Sequence, residues 1–161
     1  MLNDSQIGRV WENLISAETR ALYFADLASR YTVRKQWIAG LSFVLSSGAA
    51  AAVFARMPSW APIIMASLVA VMNAYTIAAN LDRRIATMAK LHTTWNQIAA
   101  EYYRLWDQVY DDTAEEQLNA ILASERAPSE LATTEAPNNQ RLLGKWQDHV
   151  FLMHRLTEQK G

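Results

Sequence analysis

Cysteine is absent from this 161-residue chain. Disulfides, thiolate catalysis and Cys-based metal sites are therefore excluded, and a reducing milieu is compatible with the composition. Glycine and proline are scarce, at five and four. No Gly-rich phosphate loop, nucleophile elbow, His-Glu-x-x-His or calcium-loop pattern occurs, so the sequence offers no catalytic residue, no cofactor-binding residue and no cofactor. Basic excess is missing too: the net charge is -1, and the six tryptophans and six tyrosines lie mostly on helix seams. Nucleic-acid binding normally needs a basic face.

Metal ligation also lacks support. His149 and His154 are five positions apart, whereas imidazoles share a helical face at spacings of three or four. His92 falls among Met88 and Trp95 on a helical seam, which suits a hydrogen-bonded core or groove histidine. The acidic cluster Asp111, Asp112, Glu115 and Glu116 is explained by a helix start, where negative charge complements the macrodipole.

Two charge-free stretches stand out, residues 36–55 and 57–81. Each can cross a bilayer, since about 20 helical residues at roughly 1.5 Å rise span the ~30 Å hydrocarbon core. Buried helices of a soluble bundle would share this feature, but the flanks favour a membrane. Trp37 opens the first stretch and Trp60 the second, as interfacial anchors, while Arg34, Lys35, Arg83 and Arg84 stand outside the ends away from the connecting turn. Basic residues concentrate on the terminal side, whereas the turn at 56–59 holds only Arg56. Both termini are thus expected in the cytoplasm. Some 35 largely polar and amphipathic residues precede the first apolar stretch, unlike a cleavable signal, so the first span is expected to persist.

The rest reads as helix. From Asn3 or Asp4 as N-cap, a seam runs through Ile7, Val10, Leu14, Ala17, Ala21, Phe24, Ala28 and Tyr31. A second runs through Ile85, Met88, His92, Trp95, Ala99, Tyr102, Trp106 and Val109. Thr113 and Glu116 have capping-box spacing. The expected organisation is a cytoplasmic amphipathic helix over 1–35, transmembrane helices over 36–55 and 60–81, and an extracytoplasmic turn at 56–59. A cytoplasmic helical extension over 82–126, a linker over 127–140 and a C-terminal cytoplasmic helix over 141–161 follow. The last helix has a docking face of Leu142, Leu143, Trp146, Val150, Met153 and Leu156. The fold class is an all-α membrane protein: a two-helix transmembrane hairpin whose long cytoplasmic extensions form a helical bundle.

Polarity inside the spans supplies the candidate site. Ser42 and Ser46 are one turn apart, Gly48 and Ala52 form a small-xxx-small pair, and Asn73 and Asn80 are seven apart on one helical face. An Asn in hydrocarbon needs a hydrogen-bonding partner or water, so these residues are candidates either for helix packing or for lining a pore.

This order of an N-terminal helix, a two-helix hairpin with a Pro-containing turn and a long continuing helix resembles the SLATT family of bacterial two-transmembrane effectors, over about Asn3 to Glu125. The resemblance implies an effector of anti-phage defence that oligomerises in the bacterial inner membrane and forms a pore or disrupts the bilayer, causing death or arrest of the cell. It is not an enzyme on this reading. Its partners would be the lipid bilayer, further copies of itself and a separate sensor protein or nucleotide signal. The alternative is a non-conducting scaffold that anchors a cytoplasmic partner enzyme, and a third reading is a phage holin.

Overall fold

In a computed structural model, residues 1–47, 58 and 60–158 are described. All their regular secondary structure is helical: α1 (Asp4–Ser46), α2 (Trp60–Ala78), α3 (Leu81–Asp107), α4 (Ala114–Ser124), α5 (Arg126–Glu135) and α6 (Gln140–Glu158). The chain divides into two units, residues 1–27 with 87–161, and residues 28–86.

The first unit begins with a reciprocal cap. Gln6 N donates to Asn3 Oδ1 at 2.8 Å, and Asn3 N donates to Gln6 Oε1 at 2.9 Å, which satisfies two donors that a helix start leaves open. Leu2, itself buried, donates its amide to Val109 O at 3.0 Å. The buried stripe of α1 is Val10, Leu14, Ala17, Ala21 and Phe24, with the alternating four and three steps of the sequence seam. On α3 the buried set is Met88, Leu91, Trp95, Ile98, Tyr102 and Leu105, with Ala99 beside it. Trp106, which the sequence seam included, is 38% exposed and packs its ring 5.3 Å from Trp11. His92 donates through Nδ1 to Ala21 O at 2.9 Å, holding the two helices together where the seam would otherwise bury an unpaired ring nitrogen.

Two local expectations fail here. Thr113 makes no capping hydrogen bond from its side chain, and its backbone is helical rather than extended; its hydroxyl instead accepts from Gln117 Nε2 at 3.1 Å. The segment 127–140 is not a linker throughout, because α5 occupies Arg126–Glu135. Pro128 does not prevent this, since it lies in the first turn of α5, where a missing N–H leaves no bond unmade, and its ring is buried. The remaining irregular residues are anchored: Tyr23 Oη donates to Pro137 O, and Asn139 Oδ1 accepts from Leu142 N at 3.1 Å to cap α6.

α6 docks through fewer residues than its sequence face suggests. Leu142 and Val150 are buried, Trp146 Nε1 donates to Asp26 Oδ2 at 3.1 Å, and Met153 is 53% exposed. The side chain of Leu156 lies outside the described residues. Glu18 ties three helices together: its carboxylate accepts from Tyr103 Oη at 2.8 Å and contacts His154 Nε2 at 2.6 Å.

The second unit contains α1 from residue 28, α2 and the first turns of α3. The expected uninterrupted helix through 60–81 is corrected. Asn80 adopts φ 48, α2 ends at Ala78 and α3 restarts at Leu81. Asn is among the few residues that enter the left-handed region at modest cost. The break remains hydrogen-bonded, with Ala79 N donating to Tyr75 O, Asn80 N to Ile77 O, and Arg84 N to Asn80 O as the first bond of the new helix. Of the expected turn at 56–59, only Pro58 is among the described residues, and residues 48–55 of the first span are also outside them.

Two predictions follow from these packing features. Asn80→Gly should leave thermal stability unchanged or raise it, whereas Asn80→Val should cost about 1–2 kcal/mol through forced left-handed backbone. Thermal unfolding of the purified variants checks both. Burial raises the Tyr102 hydroxyl above its ordinary pKa of 10.0, assisted by its hydrogen bond to Glu125, and burial with Glu18 does the same for Tyr103. A raised folded pKa means that the neutral phenols stabilise the fold fully below about pH 10 and that this contribution disappears as they ionise at higher pH. Helical content followed by circular dichroism should therefore fall on alkaline titration above pH 10, and Tyr102→Phe should delay the loss.

Candidate membrane-facing surface

Within residues 28–86, apolar side chains lie on the outside. On α1, Val33, Trp37, Leu41, Phe43 and Val44 are 45–75% exposed. On α2, Trp60, Ile63, Ile64, Leu68, Val71, Tyr75 and Ile77 are 39–81% exposed. A helix that is apolar around its whole circumference normally sits in a protein core or in lipid. Isolated exposed hydrophobics are ordinary on a water-facing surface, but contiguous ones mark an interface with something apolar.

Less exposed positions form one stripe on each helix: Lys35, Ile38, Ser42 and Leu45 on α1, and Met65, Val69, Met72 and Thr76 on α2. Both stripes alternate steps of three and four, the spacing of facing helices. Cross-links occur at one end. The Arg34 guanidinium stands 5.0 Å over the Tyr75 ring, and Lys35 Nζ pairs with Asp82 Oδ1. Leu81, only 2% exposed, is buried beside this ion pair in sequence. Because Asp82 is well exposed and Lys35 partly so, their pairing orients the helices more than it stabilises them.

The sequence-predicted residues are distributed unequally over this surface. Ser42 lies on the covered stripe, and its Oγ is buried without a hydrogen-bonding partner. Asn73 is exposed and flanks the covered stripe of α2, one turn from Val69 and Thr76. Asn80 occupies the break after α2, so Asn73 and Asn80 do not share one uninterrupted helical face. Gly48 and Ala52 lie outside the described residues, and Ser46 ends α1 with its side chain also outside them. Trp37 and Trp60 are 74% and 60% exposed. Arg34 and Lys35 meet Tyr75 and Asp82, while Arg83 and Arg84 stand exposed in the first turn of α3 next to Asp82. The four anticipated cations thus gather at the end of α2 remote from Trp60.

Tyr75 and Asp82 were missed as site residues. A signal was present for Asp82, an acidic residue just after the second charge-free stretch as the basic pair Arg34 and Lys35 stands just before the first; for Tyr75 there was none. The break at Asn80 between them was not legible as hydropathy.

Among the described residues, no single helix is long and apolar enough to cross a membrane, but the bent pair Ile63–Ala78 with Leu81–Asp107 passes such a test together by length and composition. No group of three potential metal-ligating side chains occurs among them either. Neither protein-family models, nor curated proteins, nor solved structures provide a match to this chain.

The unused hydroxyl of Ser42 generates a prediction opposite to that for a packing bond. Ser42→Ala should be neutral or stabilising by up to about 1 kcal/mol, because it removes a buried polar group that has no partner. Leu81→Ala should cost about 2–5 kcal/mol by opening a cavity. Parallel thermal denaturation of the two variants measures this contrast.

Proposed function

We propose that the chain is a two-span effector of the bacterial inner membrane that oligomerises and, on activation, forms a pore or disrupts the bilayer during anti-phage defence, with both termini in the cytoplasm. The observation that carries the membrane part is the run of exposed apolar side chains on α1 and α2, from Val33 to Val44 and from Trp60 to Ile77. Burying such side chains in hydrocarbon removes roughly 25 cal/mol per Å² of unfavourable contact with water. Arg34, Lys35, Arg83 and Arg84 at one end suit a cytoplasmic headgroup region, and Trp37 and Trp60 suit the two interfaces. On this reading the first span continues beyond Ser46 through residues outside the described set, and the second uses α2 and the break that follows it.

The resemblance to SLATT effectors supplies the defence context. Asn73 is exposed on α2, and in lipid its amide requires water or another copy of the chain, which suits a pore lining as well as packing between copies. A separate sensor protein or nucleotide signal would act on the helices of residues 1–27 and 87–161. The compact packing of those helices equally suits a non-conducting scaffold that anchors a partner enzyme.

Conduction separates the two readings. Produced in bacterial cells loaded with a potential-sensitive dye and given its trigger, the chain should collapse the membrane potential and arrest growth. Asn73→Leu should preserve insertion and assembly while restoring the potential. A maintained potential and normal growth with the chain inserted, assembled and triggered would reject the pore and leave the scaffold.

A further inference from the structure

Charge is divided sharply between the two units. Residues 28–86 hold six cations, Arg30, Arg34, Lys35, Arg56, Arg83 and Arg84, and one acid, Asp82. The rest of the chain has nine cations and fifteen acids, so the net charge of -1 conceals +5 in one unit and -6 in the other. Arg56 lies outside the described residues, and the other five cations of residues 28–86 stand at one end of the exposed apolar surface. The Arg34 guanidinium lies 5.0 Å over the Tyr75 ring and Lys35 pairs with Asp82, which brings the cations of α1 level with the start of α3, where Arg83 and Arg84 follow Asp82 directly. Arg30 precedes Arg34 by one turn of helix, about 6 Å. Arg34 and Arg84 are exposed, and Val33 and Trp37 beside Arg34 belong to the apolar surface.

An apolar band that ends in arginines within one or two turns matches the edge of a bilayer, where each headgroup layer is roughly 5–8 Å deep. Guanidinium groups at that depth meet lipid phosphates, which they bind through paired N–H donors. A zwitterionic headgroup brings its own cation beside the phosphate, and a cluster of arginines repels it; an anionic phospholipid carries no such cation. We propose that this collar, with Arg34 and Arg84 as its exposed anchors, selects anionic phospholipids for the lipid shell around α1 and α2. The proposal rests on the membrane reading of residues 28–86. The other unit cannot be the source of such a preference, because its net charge has the opposite sign.

Electron paramagnetic resonance of the full chain in phosphatidylcholine vesicles, probed with phosphatidylglycerol or phosphatidylcholine spin-labelled on an acyl chain, tests the proposal. Lipids against an embedded protein surface give a motionally restricted component, whose size measures their association. Phosphatidylglycerol should associate about fivefold more strongly than phosphatidylcholine at low salt, the gain that one basic residue provides at an anionic surface. The two should approach equality in about 1 M salt, where charges are screened beyond about 3 Å. Arg34→Gln with Arg84→Gln should bring the ratio below about twofold, and Arg84→Gln alone, outside both cross-links of α1, should lower it in the same direction. Arg126→Gln with Arg141→Gln removes the same charge from the other unit and should leave the ratio unchanged. Equal restricted components for the two lipids, an unchanged ratio without Arg34 and Arg84, or an equal loss without Arg126 and Arg141 would overturn the lipid selection while the membrane reading stands. No restricted component with either lipid would overturn both.

Discussion

Apolar side chains that stay exposed among the described residues of 28–86 constrain everything else about this protein. In residues 1–27 and 87–161, the stripes of α1 and α3 bury Leu14, Trp95, Tyr102 and their neighbours almost completely. In residues 28–86 the same kinds of side chain remain outside, and only one stripe on each helix is partly covered. The hydrophobic effect that drives the first unit together is therefore left unspent in the second. Lipid and further copies of the chain are the environments that would use it.

α1 and α3 each contribute residues to both units. In α1 the buried stripe ends near Leu27 and exposed apolar residues begin at Val33, with Arg30, Arg34 and Lys35 falling in this change of character. In α3 the corresponding change follows the left-handed Asn80 and passes through Asp82, Arg83 and Arg84 before Met88 enters the core. On the proposed reading these charged turns lie at the headgroups.

Helical character and the two buried stripes were legible because both follow from period alone: residues separated by three and four share a face whatever they pack against. Asn3 was likewise readable, since its side-chain oxygen can reach Gln6 N only at a helix start. Features set by single backbone torsions or by distant partners were less legible. The break at Asn80, which ends the helix expected through 60–81, was not legible because hydropathy cannot report a positive φ. Residues 127–135 of the expected linker are helical, since Pro128 lies in the first turn of α5, where a proline breaks nothing. Thr113 had capping-box spacing, but its helical backbone keeps the hydroxyl from the cap geometry. Of the candidate site, the flanking cations and tryptophans could be read from charge and hydropathy; the pairings of Arg34 with Tyr75 and Lys35 with Asp82 depend on how two helices meet.

The lack of native cysteine makes a direct test of the membrane surface practical, because single Phe43→Cys, Leu68→Cys and Tyr110→Cys variants carry one spin label each without background. In chain reconstituted into lipid vesicles, labels at positions 43 and 68 should collide more with dissolved oxygen than with a water-soluble nickel chelate, and the label at position 110 should show the reverse. Preferential nickel access at 43 and 68, as at 110, would contradict the assignment of this apolar surface to lipid.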